Sequence, residues 1–187
     1  IRNLSQLQTP PSSRMPIQTY VTEYNPHLAK EVICRELSRG GQVFYLYNLV
    51  STIFQKAEQI KKAIPNARVG VVHAKMDSED IDKIMTEFYL GNIDVLVCTS
   101  IVESGLDVPN ANTILIENSD KFGLSQLYQI KGRVGRSNRV AYAYLFYNKN
   151  KELTPEAEKR LKAIKEFASL GSGYKIAEKD LSIRGAG

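Results

Sequence analysis

The stretch IDVLVCTSIVESGLDVPNANTILIE, residues 93–117, decides the fold. Two short, continuously apolar runs, IDVLVCT (93–99) and NTILIE (112–117), flank a loop that contains Gly105, Asp107 and Pro109. Runs this short, apolar throughout rather than alternating, read as strands of a sheet covered on both faces. A loop leaving the carboxyl end of such a strand is where open α/β sheets bind ligands. Here Thr99 can reach a nucleic-acid phosphate. Asp107 can accept hydrogen bonds from a ribose, or serve only as a turn residue ahead of Pro109.

The same pattern continues outward in both directions. IQTYVTEY (17–24) alternates like a strand, and PHLAKEVICRELSRGG reads as a helix with Pro26 in its first turn and glycines to stop it. QVFYLY (42–47) is a strand, Ser51 to Lys62 a helix closed by Pro65, and ARVGVVH (67–73) a strand. SEDIDKIMTEFYLG is a helix capped by Asp77 or Ser78 and ended by Gly91. Ser125 caps a further helix through Gly132, and VAYAYLFY (140–147) is a last strand. Regular alternation of strand and helix predicts an α/β domain with a mostly parallel sheet and right-handed crossovers.

Residues 1–16, with three prolines and two consecutive serines, read as an interdomain linker. The domain proper covers 17–150. In 151–187, Thr154-Pro155 opens an amphipathic helix, AEKRLKAIKEFASL, whose Leu161, Ile164, Phe167 and Ala168 need burying. The tail is too short to form a unit of its own. Both ends suggest a piece cut from a longer protein.

Composition narrows the classes further. The 187 residues carry a formal net charge of +5, a mild basicity that suits a phosphate-bearing partner without requiring one. The longest apolar runs fall far short of the ~20 residues that cross a bilayer, so no membrane association is expected. With no signal-peptide pattern either, a cytoplasmic protein is the default expectation. Cys34 and Cys98 lack metal-ligand spacing and read as reduced core residues. His27 opens a helix and His73 ends a strand; neither joins a hydrolytic triad or a metal set.

The most informative segment for chemistry is QIKGRVGR, residues 129–136. Two arginines three apart, separated by glycine turns, can present two guanidinium forks to one polyphosphate, and the glycines allow close backbone approach. The plain alternative is a basic helix end in solvent. No G-x-x-x-x-G-K-[ST] phosphate loop occurs, and no Asp-Glu pair follows an apolar strand.

TSIVESGLDVPN resembles motif V, and QIKGRVGR motif VI, of superfamily 2 helicases and translocases. The resemblance implies a RecA-like three-layer domain, the second of two that share one ATP, with Mg²⁺ held by the first. Such a chain is not expected to hydrolyse ATP alone. Carried over by position, Gln129, Arg133 and Arg136 face ATP, with Arg136 as the arginine finger. Gly105 and Asp107 also meet the nucleotide. Thr99 contacts the DNA backbone, and Glu103 couples the two sites. Asn48, following QVFYLY, matches motif IV. His73-Ala74-Lys75-Met76 matches a segment usually written His-Gly that touches the tracked strand, with Ala74 in place of the glycine. His73 is equally readable as a buried strand end.

IRNLSQLQTPP, SNRVAYAYLFY, RLKAIKEFASLGSG and DLSIRGAG together resemble the bacterial transcription-repair coupling factor family across essentially the whole chain. That resemblance implies double-stranded DNA, the first RecA-like domain, RNA polymerase and excision-repair proteins as partners. It also implies that 151–187 is a helical hairpin with the start of a translocation motif, in which Arg184 lies. A fork-reversing helicase, which shares motifs V and VI and the tail, is the second reading. A RecA-like module without catalysis, serving only as a binding platform, is the third.

Overall fold

In the computed structural model the structure describes residues 17–100, 108–121, 139–148, 154–171 and 175–176. The elements are β1 (Ile17–Glu23), α1 (Pro26–Ser38), β2 (Gln42–Leu46), α2 (Ile53–Ala63), β3 (Val69–Val72), α3 (Ser78–Tyr89), β4 (Val95–Cys98), β5 (Ala111–Ile116), β6 (Ala141–Tyr147), α4 (Pro155–Gly171) and β7 (Lys175–Ile176). Short 3₁₀ turns at Val50–Thr52 and Ser119–Lys121 precede α2 and follow β5. The seven strands form one sheet in the order β3-β4-β2-β5-β6-β1-β7, and each described strand pair is parallel. This is the α/β architecture expected from the sequence.

Parallel strands have helices on both faces, and the alternation within β2 shows how the two cores are divided. Phe44 and Leu46 point to one face, where they join Leu96, Cys98, Ile114 and Ile116 under Met85 and Phe88 of α3 and Leu161 of α4. Val43 and Tyr45 point to the other, where they join Val95, Val97 and Leu115 under Ala29, Val32 and Ile33 of α1 and Ile53, Ala57 and Ile60 of α2. Every residue of β2, β4 and β5 is buried, which is why these strands read as unbroken apolar runs. Leu161 is buried as expected; the side chains of Ile164, Phe167 and Ala168 lie outside the described ones.

Caps follow local chemistry. The Asn25 side chain accepts from the amides of His27 and Leu28 at 2.9 and 3.4 Å and is the N-cap of α1, with Pro26 in the first turn as expected. Thr154 Oγ1 accepts from the Ala157 amide at 3.1 Å at the start of α4. Asp77 occupies the cap position of α3 without a side-chain cap bond. Gly91 ends that helix in the left-handed region, at φ +85°.

One position in the apolar stripe of α1 holds a carboxylate. Glu36 is 1% exposed; Arg39 grips it through Nε at 2.9 Å and Nη2 at 2.7 Å, and the Thr113 hydroxyl donates to it. A charge taken out of water needs such partners. It also needs space: a Cβ on Gly41 would lie 1.8 Å from Glu36 Oε2.

Candidate functional site

Because the strands are parallel, their carboxyl ends share one edge of the sheet. Leu46 of β2 and Val72 of β3 both pair with Cys98 of β4, which brings the next residues of the three strands to one level. Tyr47 N–H donates to Cys98 O at 2.8 Å, and Thr99 N–H to Val72 O at 3.3 Å, extending the ladder by one residue. His73, Thr99 and the Tyr47-Asn48 pair therefore form a row along adjacent strand ends, with Lys75 exposed just beyond His73.

The row is held by its own backbone. Ala74 N–H donates to Thr99 Oγ1 at 3.1 Å, and Lys75 N–H donates to His73 Nδ1 at 3.2 Å. Met76 N–H donates to His73 O at 3.1 Å, closing the turn. Thr99 itself is buried, at 9% exposure, and its hydroxyl accepts the Ala74 amide at the end of β4. With Nδ1 of His73 accepting from the Lys75 amide, Nε2 is the ring nitrogen left for another partner. His73 is half-buried, and the ring of Phe54, in the first turn of α2, stands edge-on to it at 5.7 Å. The backbone at Ala74 has no positive φ, so this turn does not need glycine for conformational reasons.

Four of the residues singled out in the sequence, Asn48, His73, Lys75 and Thr99, are thus brought to one edge. Glu103, Gly105, Asp107, Gln129, Arg133, Arg136 and Arg184 lie outside the described residues, as does the helix expected from Ser125 through Gly132. Among the described residues no group of three or more His, Cys, Asp or Glu side chains can hold a metal ion. No described helix is long and apolar enough to cross a membrane. Cys34 and Cys98 are free thiols; burial pushes Cys98 up to about 12, which leaves it protonated and inert.

A polar network beneath this edge was not anticipated. Lys56 of α2 meets Glu117, the residue after β5, at 2.8 Å; their side chains are 10% and 12% exposed. The same ammonium donates to Tyr24 OH at 3.2 Å and lies over the rings of Tyr24, Tyr47 and Tyr45. Tyr45 OH donates to Glu117. The Tyr47 and Thr52 hydroxyls bond at 2.6 Å, which fixes the turn that carries Asn48. Burial by itself would lower the Lys56 pKa, but the Glu117 charge and hydrogen bond outweigh it and raise it above 10.5. Burial, then the Glu117 carboxylate, raises the Tyr45 phenol well above 10.0, so it stays a neutral donor. The signal for this network was a lysine in the buried stripe of α2 and a glutamate ending an apolar run.

Residues 26–138 match the helicase conserved C-terminal domain. Over all 187 residues the chain is 56% identical to the transcription-repair-coupling factor of Staphylococcus haemolyticus (strain JCSC1435) and 57% identical to that of Bacillus subtilis (strain 168). It spans 16% of the length of each of these relatives. Among solved structures, RecG bound to a three-way DNA junction is similar at 35% identity and a TM-score of 0.73, over 95% of this chain and 23% of that one. The C-terminal domain of the DEAD-box protein Dbp5 shares the fold, with a TM-score of 0.60 at 17% identity, over 86% of this chain and 89% of that one.

Proposed function

Because this chain belongs to the helicase conserved C-terminal domain family, which it matches over residues 26–138, we propose that it is the second RecA-like motor domain of an ATP-dependent double-stranded DNA translocase. ATP is the substrate, bound between this domain and a first one that holds Mg²⁺. Gln129, Arg133 and Arg136 face the nucleotide, together with Gly105 and Asp107, and Arg136 is the finger on the γ-phosphate. Such a finger contributes roughly 10³–10⁵ in rate in related phosphoryl-transfer enzymes. Glu103 and Arg184 couple nucleotide state to movement. Asn48, His73, Lys75 and Thr99 hold the phosphates of the tracked strand, so binding is salt-sensitive. The work done is displacement of stalled RNA polymerase and recruitment of excision-repair proteins, coupling transcription to repair.

The observation that carries the proposal is the row itself. Three adjacent parallel strands present His73, Thr99 and Asn48 at their carboxyl ends, where the Ala74 amide donates to the Thr99 hydroxyl and the Lys75 amide to His73 Nδ1. Fork reversal by a helicase related to RecG is the second reading, favoured by the 35% identity over 95% of the chain. It is weaker than the coupling-factor reading, for which identity is 56–57% over the whole chain.

The test is ATP turnover by the full-length protein, intact and with Arg136→Ala. Stimulation by double-stranded DNA, abolished by the substitution while nucleotide still binds, supports the motor reading. Turnover indifferent to Arg136 favours a binding platform without catalysis. Turnover stimulated by branched junctions but not by linear duplex favours fork reversal.

A further inference from the structure

The outer surface of α2 carries one residue that does not fit it. The buried stripe of this helix is Ile53, Lys56, Ala57 and Ile60, at helical spacing, and apart from Phe54 its remaining surface is Gln55, Glu58, Gln59, Lys61, Lys62 and the small Ala63. Phe54 lies off the stripe and is 57% exposed. An isolated exposed apolar side chain is ordinary. Phe54 is not isolated: its ring is edge-on to His73 at 5.7 Å, and Leu49, 45% exposed, sits in the turn between Asn48 and α2. Through His73 the Phe54 ring adjoins the polar row along the strand ends.

We infer that Phe54 is a nucleic-acid contact, packing on the deoxyribose of the strand whose phosphates are held by His73, Thr99 and Lys75. The inference rests on the translocase reading above. Bases in a duplex are stacked inward, so a strand lying along the sheet edge presents phosphate and sugar in turn. Donors on His73 and Thr99 suit the phosphate, and a flat apolar ring beside them suits the C–H face of the neighbouring sugar. Charge places the strand on this side. Beyond Lys75 the chain enters α3 through exposed Asp77, Glu79 and Asp80, on the sheet face opposite α2. A polyanion is repelled there and is shifted toward α2, where Phe54 stands.

The experiment titrates the full-length protein into a fluorescein-labelled duplex at several salt concentrations, reading anisotropy. Phe54→Ala is expected to weaken binding on the order of five-fold without changing the salt slope, since a sugar contact releases no counterion. Phe54→Tyr keeps the ring and the affinity. Lys75→Ala is expected to reduce the slope by about one unit. Phe54 and Lys75 are both exposed, so all three variants are expected to fold like the parent, and thermal unfolding checks it. Parental affinity in Phe54→Ala, with a reduced slope in Lys75→Ala, overturns this inference and leaves the translocase reading standing. Parental duplex affinity with weakened assembly on RNA polymerase also overturns it, and makes the patch a protein surface. No duplex binding by the parent overturns both.

Discussion

The amide of Ala74 donates to the hydroxyl of Thr99 at 3.1 Å, joining the ends of β3 and β4 through a side chain where the sheet ladder has run out. Removing the oxygen while keeping the shape isolates what that bond does. Thr99→Val is expected to cost about 1 kcal/mol of stability, the usual net value of one such bond, in a urea titration. If Thr99 holds phosphate as proposed, duplex affinity is expected to fall as well. Thr99→Ser, which keeps the hydroxyl, is expected to retain both; equal losses in the two variants contradict the assignment.

Lys56 and Glu117 form a pair whose halves depend on each other. Glu117→Leu leaves the ammonium among tyrosine rings with no anion, and is expected to cost about 3 kcal/mol or more. Lys56→Met strands the carboxylate at similar cost. The double variant recovers part of the loss, because it removes both buried charges while leaving the Tyr45 hydroxyl without its acceptor. Chemical denaturation of all four proteins closes the cycle; additive losses show that the two groups are not coupled.

The same pair sets an alkaline limit. The folded-state pKa of Lys56 is raised above 10.5, so its contribution is fully present below 10.5 and is lost as pH rises through the higher folded value. Tyr45, also raised, acts in the same direction, because its phenol ionises more readily when unfolded. A melting temperature that declines above pH 10.5, with a shallower decline in the Lys56→Met/Glu117→Leu variant, is the expected result.

At the acid end the relevant group is Asp94, which accepts from Arg68 Nε at 3.1 Å, Nη2 at 2.9 Å and the backbone amide at 2.8 Å. Partial burial would raise its pKa, but the hydrogen bonds from Arg68 outweigh that and hold it below 3.8. Its contribution is present above 3.8 and is lost as pH falls through the lower folded value. Asp94→Asn is expected to flatten this acid decline in melting temperature; an unchanged profile shows that other carboxylates govern it.

Gly41 has a steric prediction. Any Cβ there meets the Glu36 carboxylate, which is held by Arg39 and Thr113 and cannot retreat without losing them. Gly41→Ala is expected to destabilise by about 2 kcal/mol. Pairing it with Glu36→Ala relieves the clash, so the two losses are less than additive in urea titrations.

Strand and helix alternation from Ile17 onward, the unbroken apolar runs at β2, β4 and β5, and the glycine at the end of α3 were all legible in the sequence. These are local matters: periodicity, burial on two faces and left-handed caps act within one element or its neighbours. The family relationship was legible too, through TSIVESGLDVPN and QIKGRVGR, and it holds over residues 26–138. What only the tertiary structure decided is adjacency. β2, β4 and β3 are neighbours in the sheet but not in the chain, so no spacing places Asn48, Thr99 and His73 in one row. The Lys56–Glu117 pair spans 61 positions, by 117 − 56, and Glu36–Thr113 spans 77. Lys56, Glu117 and Glu36 each interrupt an apolar pattern, and only crossover connections bring their partners within hydrogen-bonding distance. Phe54 belongs with them: along the helix it is an ordinary surface residue, and its place beside His73 comes from the packing of α2 next to the end of β3.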